Sequence, residues 1–305
     1  MITSLRQVLR YSAHAGPVYA LTGSDDSQFF FSGSGDGTVI KWTINSLDKP
    51  VATARIDGQI FSMLYLGNNQ HLIIGTMSGT IHVIDLNFKK EIHCITFHEE
   101  SIFDLKRYDN KIFAASKDGS ISIWSTADYS LERVVTISTS SLRMVDFNDS
   151  EQLAAIASSD NNIYILDLRS WKISSVLTGP SNSVFSVAFD KLHHKLLAGS
   201  RDAMLYQYEF DTLNFIKVNA HLYTINHIQV FGNGECFATA SRDKTIRLWN
   251  SDTLELLKVI DKEKYNGHVN SVNRLLWLPS SNYLVSGGDD RTVIVWEIEM
   301  VNDKS

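Results

Sequence analysis

The chain has 305 residues, 44% of them hydrophobic and 20% charged, with four prolines and a formal charge of −6. A soluble chain of this length buries roughly three-quarters of its unfolded surface and needs no staples to fold. The mild acidity argues against a general nucleic-acid or anionic-membrane binder, and no apolar run nears the roughly 20 residues that span a bilayer. No secretory segment follows Met1. Cys94 and Cys236 form no CxxC pair and are too few for a disulfide framework. They read as small strand hydrophobes of a reducing compartment, which makes the cytoplasm the expected location.

An apolar stretch, Leu5 to Tyr11, comes first, ahead of any repeat. Seven similar segments follow, each a short turn and then alternating apolar residues. They are SGSGDGTVIKW (32–42), GTMSGTIHVID (75–85), ASKDGSISIW (115–124), ASSDNNIYILD (157–167), GSRDAMLYQY (199–208), ASRDKTIRLW (240–249) and SGGDDRTVIVW (286–296). The anchoring turn residues Asp36, Ser78, Asp118, Asp160, Asp202, Asp243 and Asp290 lie 40 to 47 residues apart. Alternation such as Val39, Lys41 or Ile246, Leu248 predicts strands with one face buried. Gly, Asn, Asp and Ser punctuate each unit twice, as tight hairpins require. No useful helical spacing occurs, and each unit reads as four short strands. The seventh unit runs out near Ile298 after its third strand.

Units of 40–45 residues with four strands have the dimensions of a β-propeller blade. His14, His98, His221 and His268 precede their turn Asp by 22, 20, 22 and 22 residues, and Trp42, Trp124, Trp249 and Trp296 close the strand. With these residues in register, the chain resembles the WD-repeat family over about residues 4–298. The resemblance implies one all-β domain across 1–305, a seven-bladed propeller of four-stranded antiparallel blades. Residues 4–12 would complete the last blade with 268–298, closing the ring and leaving 299–305 as a tail. Closure of this kind removes the free sheet edges that invite aggregation.

Ser32, His14 and Asp36 share residue types with a hydrolase triad, but a triad occurs once and such sets recur here blade by blade. The structural role is favoured: the Asp takes a hydrogen bond from the His ring and ties two loops under the Trp. Departures are informative. The second unit has Ser78 and Ile84, the fourth and fifth have Leu166 and Tyr208, and Ile56, Ser138 and Pro180 stand where the histidine would be. These three blades are expected to lean more on packing. His193 and His194 fall on a predicted turn, and His71, His82, His93 and His227 show no ligand spacing, so no metal and no cofactor are expected.

Function then falls to a surface. In WD-repeat proteins the face carrying the His and Asp loops is the usual docking side, at the residue after the first strand's opening apolar residue. Carried onto this sequence, those residues are Tyr19, Phe61, Phe103, Arg143, Phe185, Asn226 and Asn273. Five of the seven are aromatic or Arg, types enriched at binding hot spots. Met77, Lys117, Arg201 and Arg242 precede their turn residues and extend the candidate contact set. The competing reading is that the aromatics pack between blades and the arginines pair with turn carboxylates. One step further along, Asp104, His227 and Arg274 are expected at the channel, with Asp104 beside Arg143 or simply part of a hydrated wall.

The expected function is a non-catalytic, monomeric scaffold that docks a protein or peptide partner, acidic beside apolar anchors, on the rim. The alternatives are a propeller enzyme working at the channel mouth, and an anionic-ligand binder (nucleic acid or phospholipid) using the basic side.

Overall fold

The computed structural model describes residues 2–46, 49–210, 212 and 214–300. Seven four-stranded antiparallel sheets make up the fold. Blade 1 runs through Val18–Gly23, Phe29–Ser34, Thr38–Thr43 and Val51–Arg55, and blades 2 to 6 repeat that meander. The first strands stand side by side around the axis, and the seventh of them, Val272–Leu278, returns to Val18–Gly23 and closes the ring.

Closure is made by both chain ends. Strand Ile2–Tyr11 pairs antiparallel with Val293–Met300 as the outermost strand of blade 7. Pairing runs further than the repeat implies: Glu299 and Met300, expected in the tail, lie opposite Ser4 and Ile2. The remaining tail residues, 301–305, are outside the described residues. One short helix, Lys262–Tyr265, interrupts the connection into blade 7. Its start is capped by Asp261, which accepts the Lys264 amide.

Burial explains why the units need each other. Each of seven apolar clusters draws on two neighbouring blades, for example Ala20, Phe31 and Val39 of blade 1 with Ile60, Met63 and Leu72 of blade 2. The opening residues of the first strands, from Val18 and Ile60 round to Val272, are fully buried. Each packs beside a Gly or Ala of the preceding blade. A Cβ on Gly199 would come within 2.5 Å of the Ile225 side chain, and one on Gly287 within 2.5 Å of Val18. Close blade packing therefore requires small residues there.

Candidate functional site

One irregularity recurs in all seven blades and positions the site. Pairing between the first and second strands skips a residue just after the opening apolar one. The extra residues are Tyr19, Phe61, Phe103, Arg143, Phe185, Asn226 and Asn273. A β-bulge leaves its extra residue unpaired and re-aims the side chain, here toward the mouth of the channel. Together with Arg274, these seven side chains line one recess of about 690 Å³ that opens to solvent.

Its wall is a continuous aromatic arc. Tyr19 stands edge-on to Phe61 with centroids 5.0 Å apart, and Phe61 stacks on Phe103 at 5.6 Å. Arg143 continues the arc, its guanidinium 4.4 Å from the Phe103 ring centroid and 4.7 Å from that of Phe185. Such sandwiching holds a planar cation by its faces and leaves its edge for a partner. Its only side-chain hydrogen bond among the described residues runs from Nε to Ser159 Oγ at 2.8 Å. Burial, reinforced by the charge of Arg201, lowers the Arg143 pKa, although the group stays protonated at any physiological pH. Asn226 and Asn273 complete the circle, anchored through Nδ2 to the Val272 and Val18 carbonyls at 2.8 and 3.1 Å.

The second set of candidates is only partly brought together. In every blade the residue before the turn anchor donates its amide to the carbonyl preceding the opening residue, as in Met77 to Gln59 at 2.9 Å and Arg201 to Ser183 at 2.9 Å. Met77, Lys117, Arg201 and Arg242 are thereby held beside the recess and exposed, but none of them lines it. Lys117 spends its charge on Glu100 at 2.7 Å, an exposed pair that contributes about 0–1 kcal/mol. The repeat register also overlooks two exposed side chains on the same loop as His221, Leu222 (77% exposed) and Tyr223 (59%). Their signal is plain in hindsight: AHLYT places two large apolar residues where the first blade has Ala15 and Gly16.

Beneath the recess, Asp104 is fully buried, and its partner is Arg274, not Arg143. Arg274 Nη2 lies 2.6 Å from Asp104 Oδ1, while the Val145 amide donates to Oδ2 at 3.1 Å. A carboxylate out of water with both oxygens satisfied is a cross-channel strut, so the hydrated-wall reading is wrong at this position. The part-buried Asp146 likewise accepts an amide of the next blade, that of Phe189 at 2.8 Å. His227 is buried and holds its proton poorly, because burial and then the charges of Arg274 and Lys106 lower its pKa far below the usual range.

The His, Asp and Trp residues form a connected network. In blade 7 Trp296 Nε1 donates to Ser286 Oγ at 3.0 Å, Ser286 meets His268 Nε2 at 2.8 Å, and His268 Nδ1 meets Asp290 at 2.9 Å. The hydroxyl accepts from the indole, and because the carboxylate can only accept, the ring carries a proton on Nδ1 facing Asp290. Blade 6 repeats this with Trp249, Thr239, His221 and Asp243, and blade 3 with Trp124, Ser122, His98 and Asp118. In blade 1 Trp42, Ser32 and His14 connect likewise, but Thr38 intervenes and Asp36 stands 3.8 Å from the ring. The hydroxyls of Ser32, Ser122, Thr239 and Ser286 belong to fully buried residues, so none can meet a substrate.

Blades 4 and 5, expected to lean more on packing, have substitute polar ties. In blade 4 Ser138 and Tyr164 both donate to Asp160, at 2.5 and 2.8 Å. In blade 5 Ser181 and Tyr206 do the same for Asp202, at 2.9 and 2.8 Å. Among the described residues only blade 2 lacks any such carboxylate, and Ser78 there meets the Thr76 and Thr80 hydroxyls at 3.0 and 3.4 Å. Cys94 also departs from expectation: it is exposed, while Cys236 is buried.

These networks predict acid sensitivity. Burial, which outweighs the pull of Asp36 and Asp243, lowers the pKa of His14 and His221. Burial alone would raise Asp243 and Asp290, but hydrogen bonds from their histidines and threonines hold both well below the usual carboxylate range. In both cases the folded state binds fewer protons than the unfolded one. Stability should therefore be full above about pH 6.5 and fall in two stages, first through the histidine range and then through the carboxylate range. Melting curves from pH 8 to 3 should show the midpoint falling from just below neutrality. A midpoint flat to pH 4 would contradict the assignment.

Comparison with known proteins agrees with this geometry. The sequence model described as WD domain, G-beta repeat matches residues 5–43, 89–125, 171–209, 214–250 and 261–297, more than half of the chain. The chain is similar to protein tipD of Dictyostelium discoideum, 21% identical over 94% of this chain and 48% of that protein. It is similar also to nuclear distribution protein nudF of Aspergillus niger, 24% identical over 88% of this chain and 56% of that protein. Autophagy-related protein 16 of Arabidopsis thaliana is 20% identical over 83% and 51% respectively. The chain thus spans about half the length of these curated relatives. Among solved structures, the WD40 beta propeller domain of Doa1 superposes with a TM-score of 0.84 at 19% identity, covering 99% of this chain and 98% of that one.

Proposed function

Because the chain belongs to the WD domain, G-beta repeat family, we propose that it is a non-catalytic docking scaffold whose recess receives a protein or peptide partner. The observation that carries this reading is the convergence of all seven bulged residues on one opening, with four aromatics and a sandwiched guanidinium that no carboxylate of the described chain engages. Aromatic rings supply large contact area at small entropic cost, and a desolvated arginine edge selects a carboxylate. The partner is then a segment with an acidic side chain beside apolar anchors. Arg201 and Arg242 add positive charge at the margin and steer an acidic segment toward the recess. Rigid blades hold the recess in shape, so little ordering entropy opposes docking.

On this reading the whole chain acts as one monomeric propeller domain in the cytoplasm. No nucleic acid, cofactor or membrane insertion is required, and among the described residues no helix is long and apolar enough to cross a membrane. Titration of a purified partner should show Phe103→Ala and Phe185→Ala each weakening binding by about 1–4 kcal/mol. Arg143→Lys should also weaken it, because an ammonium cannot offer the planar two-pronged edge. Unchanged affinity in all three variants, with melting curves like the parent, would remove the recess from the interface.

A further inference from the structure

The third and outer strands of blade 2, Thr80–Asp85 and Lys90–Thr96, bring together three side chains of different chemistry. His82 lies directly opposite Cys94 in the ladder. Pairing then passes from Val83 opposite His93 to Ile84 opposite Glu91, so Ile92 is the extra residue of a bulge. With Ile92 turned into the apolar cluster between blades 2 and 3, Glu91 swings to the side of Cys94. The imidazole, thiol and carboxylate atoms of His82, Cys94 and Glu91 all lie within 4.8 Å of one another, with His82 Nδ1 2.6 Å from Glu91 Oε1. The His82 side chain is mostly enclosed, while Glu91 and Cys94 are open to solvent.

We propose that His82, Glu91 and Cys94 form a three-donor site for a borderline divalent cation, zinc foremost. Imidazole, thiolate and carboxylate together match its ligand preferences and leave one position for water. Donor atoms of a tetrahedral zinc site stand roughly 3–4 Å apart, a separation that small side-chain rotations reach from the present geometry. The repeat gives an independent reason to single out this trio. At the same register positions blade 3 carries Ser122, Leu131 and Val134, blade 4 Tyr164, Ile173 and Val176, and blade 6 Arg247, Leu256 and Val259. Those outer positions are apolar; in blade 2 all three carry donors. Blade 2 is also the blade whose turn has no anchoring carboxylate, with Ser78 there and Ile56 in the histidine place. A cation there cross-links its third and outer strands.

Binding is written as Cys94 S–H giving its proton to buffer and the sulfur lone pair forming the metal bond, His82 passing to the Nε2–H tautomer so that its Nδ1 lone pair is free for the metal, and Glu91 exchanging its hydrogen bond with Nδ1 for the cation.

The reduced full-length chain titrated with Co²⁺ should develop one equivalent of thiolate-to-metal charge-transfer absorbance, bleached by Zn²⁺. Calorimetry with Zn²⁺ in two buffers of different ionisation heat should report the released proton. Cys94→Ser should abolish the band, and both Cys94→Ser and His82→Gln should weaken Zn²⁺ binding at least tenfold. Cys236→Ser should change neither. Zn²⁺ should raise the melting midpoint of the parent and not of Cys94→Ser, while the metal-free melts of the two coincide. Absence of a stoichiometric Co²⁺ band in the parent overturns the proposal. So does a band that vanishes in Cys236→Ser, or Zn²⁺ affinity unchanged in both Cys94→Ser and His82→Gln.

Discussion

Deletion of residues 2–11 is expected to cost the fold much or all of its stability. The strand they form is paired with Val293–Met300 along its length, from Ile2 opposite Met300 to Tyr11 opposite Val293. Its apolar side chains contribute to two clusters: Ile2 and Leu5 pack with blade 6 and 7 residues, Val8 and Leu9 with those of blades 7 and 1. Arg10 further ties the strand to the Asn266 and Gly267 carbonyls at 2.7 and 2.6 Å. Burial of four such side chains stabilises by several kcal/mol, comparable with the roughly 5–15 kcal/mol that a folded domain possesses in total. Deletion would also strip cover from Trp296 and leave a bare sheet edge. The melting midpoint should fall by on the order of 10 °C or the transition should disappear. A synthetic peptide spanning residues 2–11 should restore it in trans. An unchanged midpoint would mean that the ring does not depend on this closure.

Trp296→Ala should be the most damaging single substitution in blade 7. The indole is fully buried and belongs to the cluster between blades 6 and 7. Truncating a buried Trp costs about 3–5 kcal/mol. Part of that loss is polar: without the indole donor, the buried Ser286 Oγ loses one hydrogen bond of the network that runs through His268 to Asp290. Trp296→Phe separates the two contributions, since the ring keeps most of the volume and loses the donor. It should cost about 1–2 kcal/mol, read from denaturant midpoints of the two variants. Equal losses for Ala and Phe would show that the network, not packing, dominates. No loss for Phe would show that the network is energetically silent.

The propeller was legible because its signals repeat. Turn residues, strand alternation and the interval of 40 to 47 residues each speak weakly, but seven copies in register leave few architectures. The recess positions were legible for the same reason: the bulge follows the opening residue in every blade, so one register locates Tyr19 and Asn273 alike. What stayed hidden depends on curvature and side-chain direction. Asp104 meets Arg274 across the channel, 170 residues away in sequence, and no local spacing encodes that approach. Tyr164 and Tyr206 replace the histidine by reaching back four residues to their own turn Asp, from a strand position that elsewhere holds Ile, His, Ser or Arg. His82, Glu91 and Cys94 have unremarkable spacings and meet only because Ile92 bulges.

The docking reading rests on the recess, and amide hydrogen exchange with and without a captured partner tests it most directly. Protection is expected at the bulged starts of the first strands, around Phe61, Phe103, Arg143 and Phe185, and in the adjoining loops. It should vanish in the Phe61→Ala, Phe103→Ala, Phe185→Ala triple variant while its melting curve stays cooperative. Protection confined to the outer strands or to the opposite face, and retained by that variant, would contradict the account.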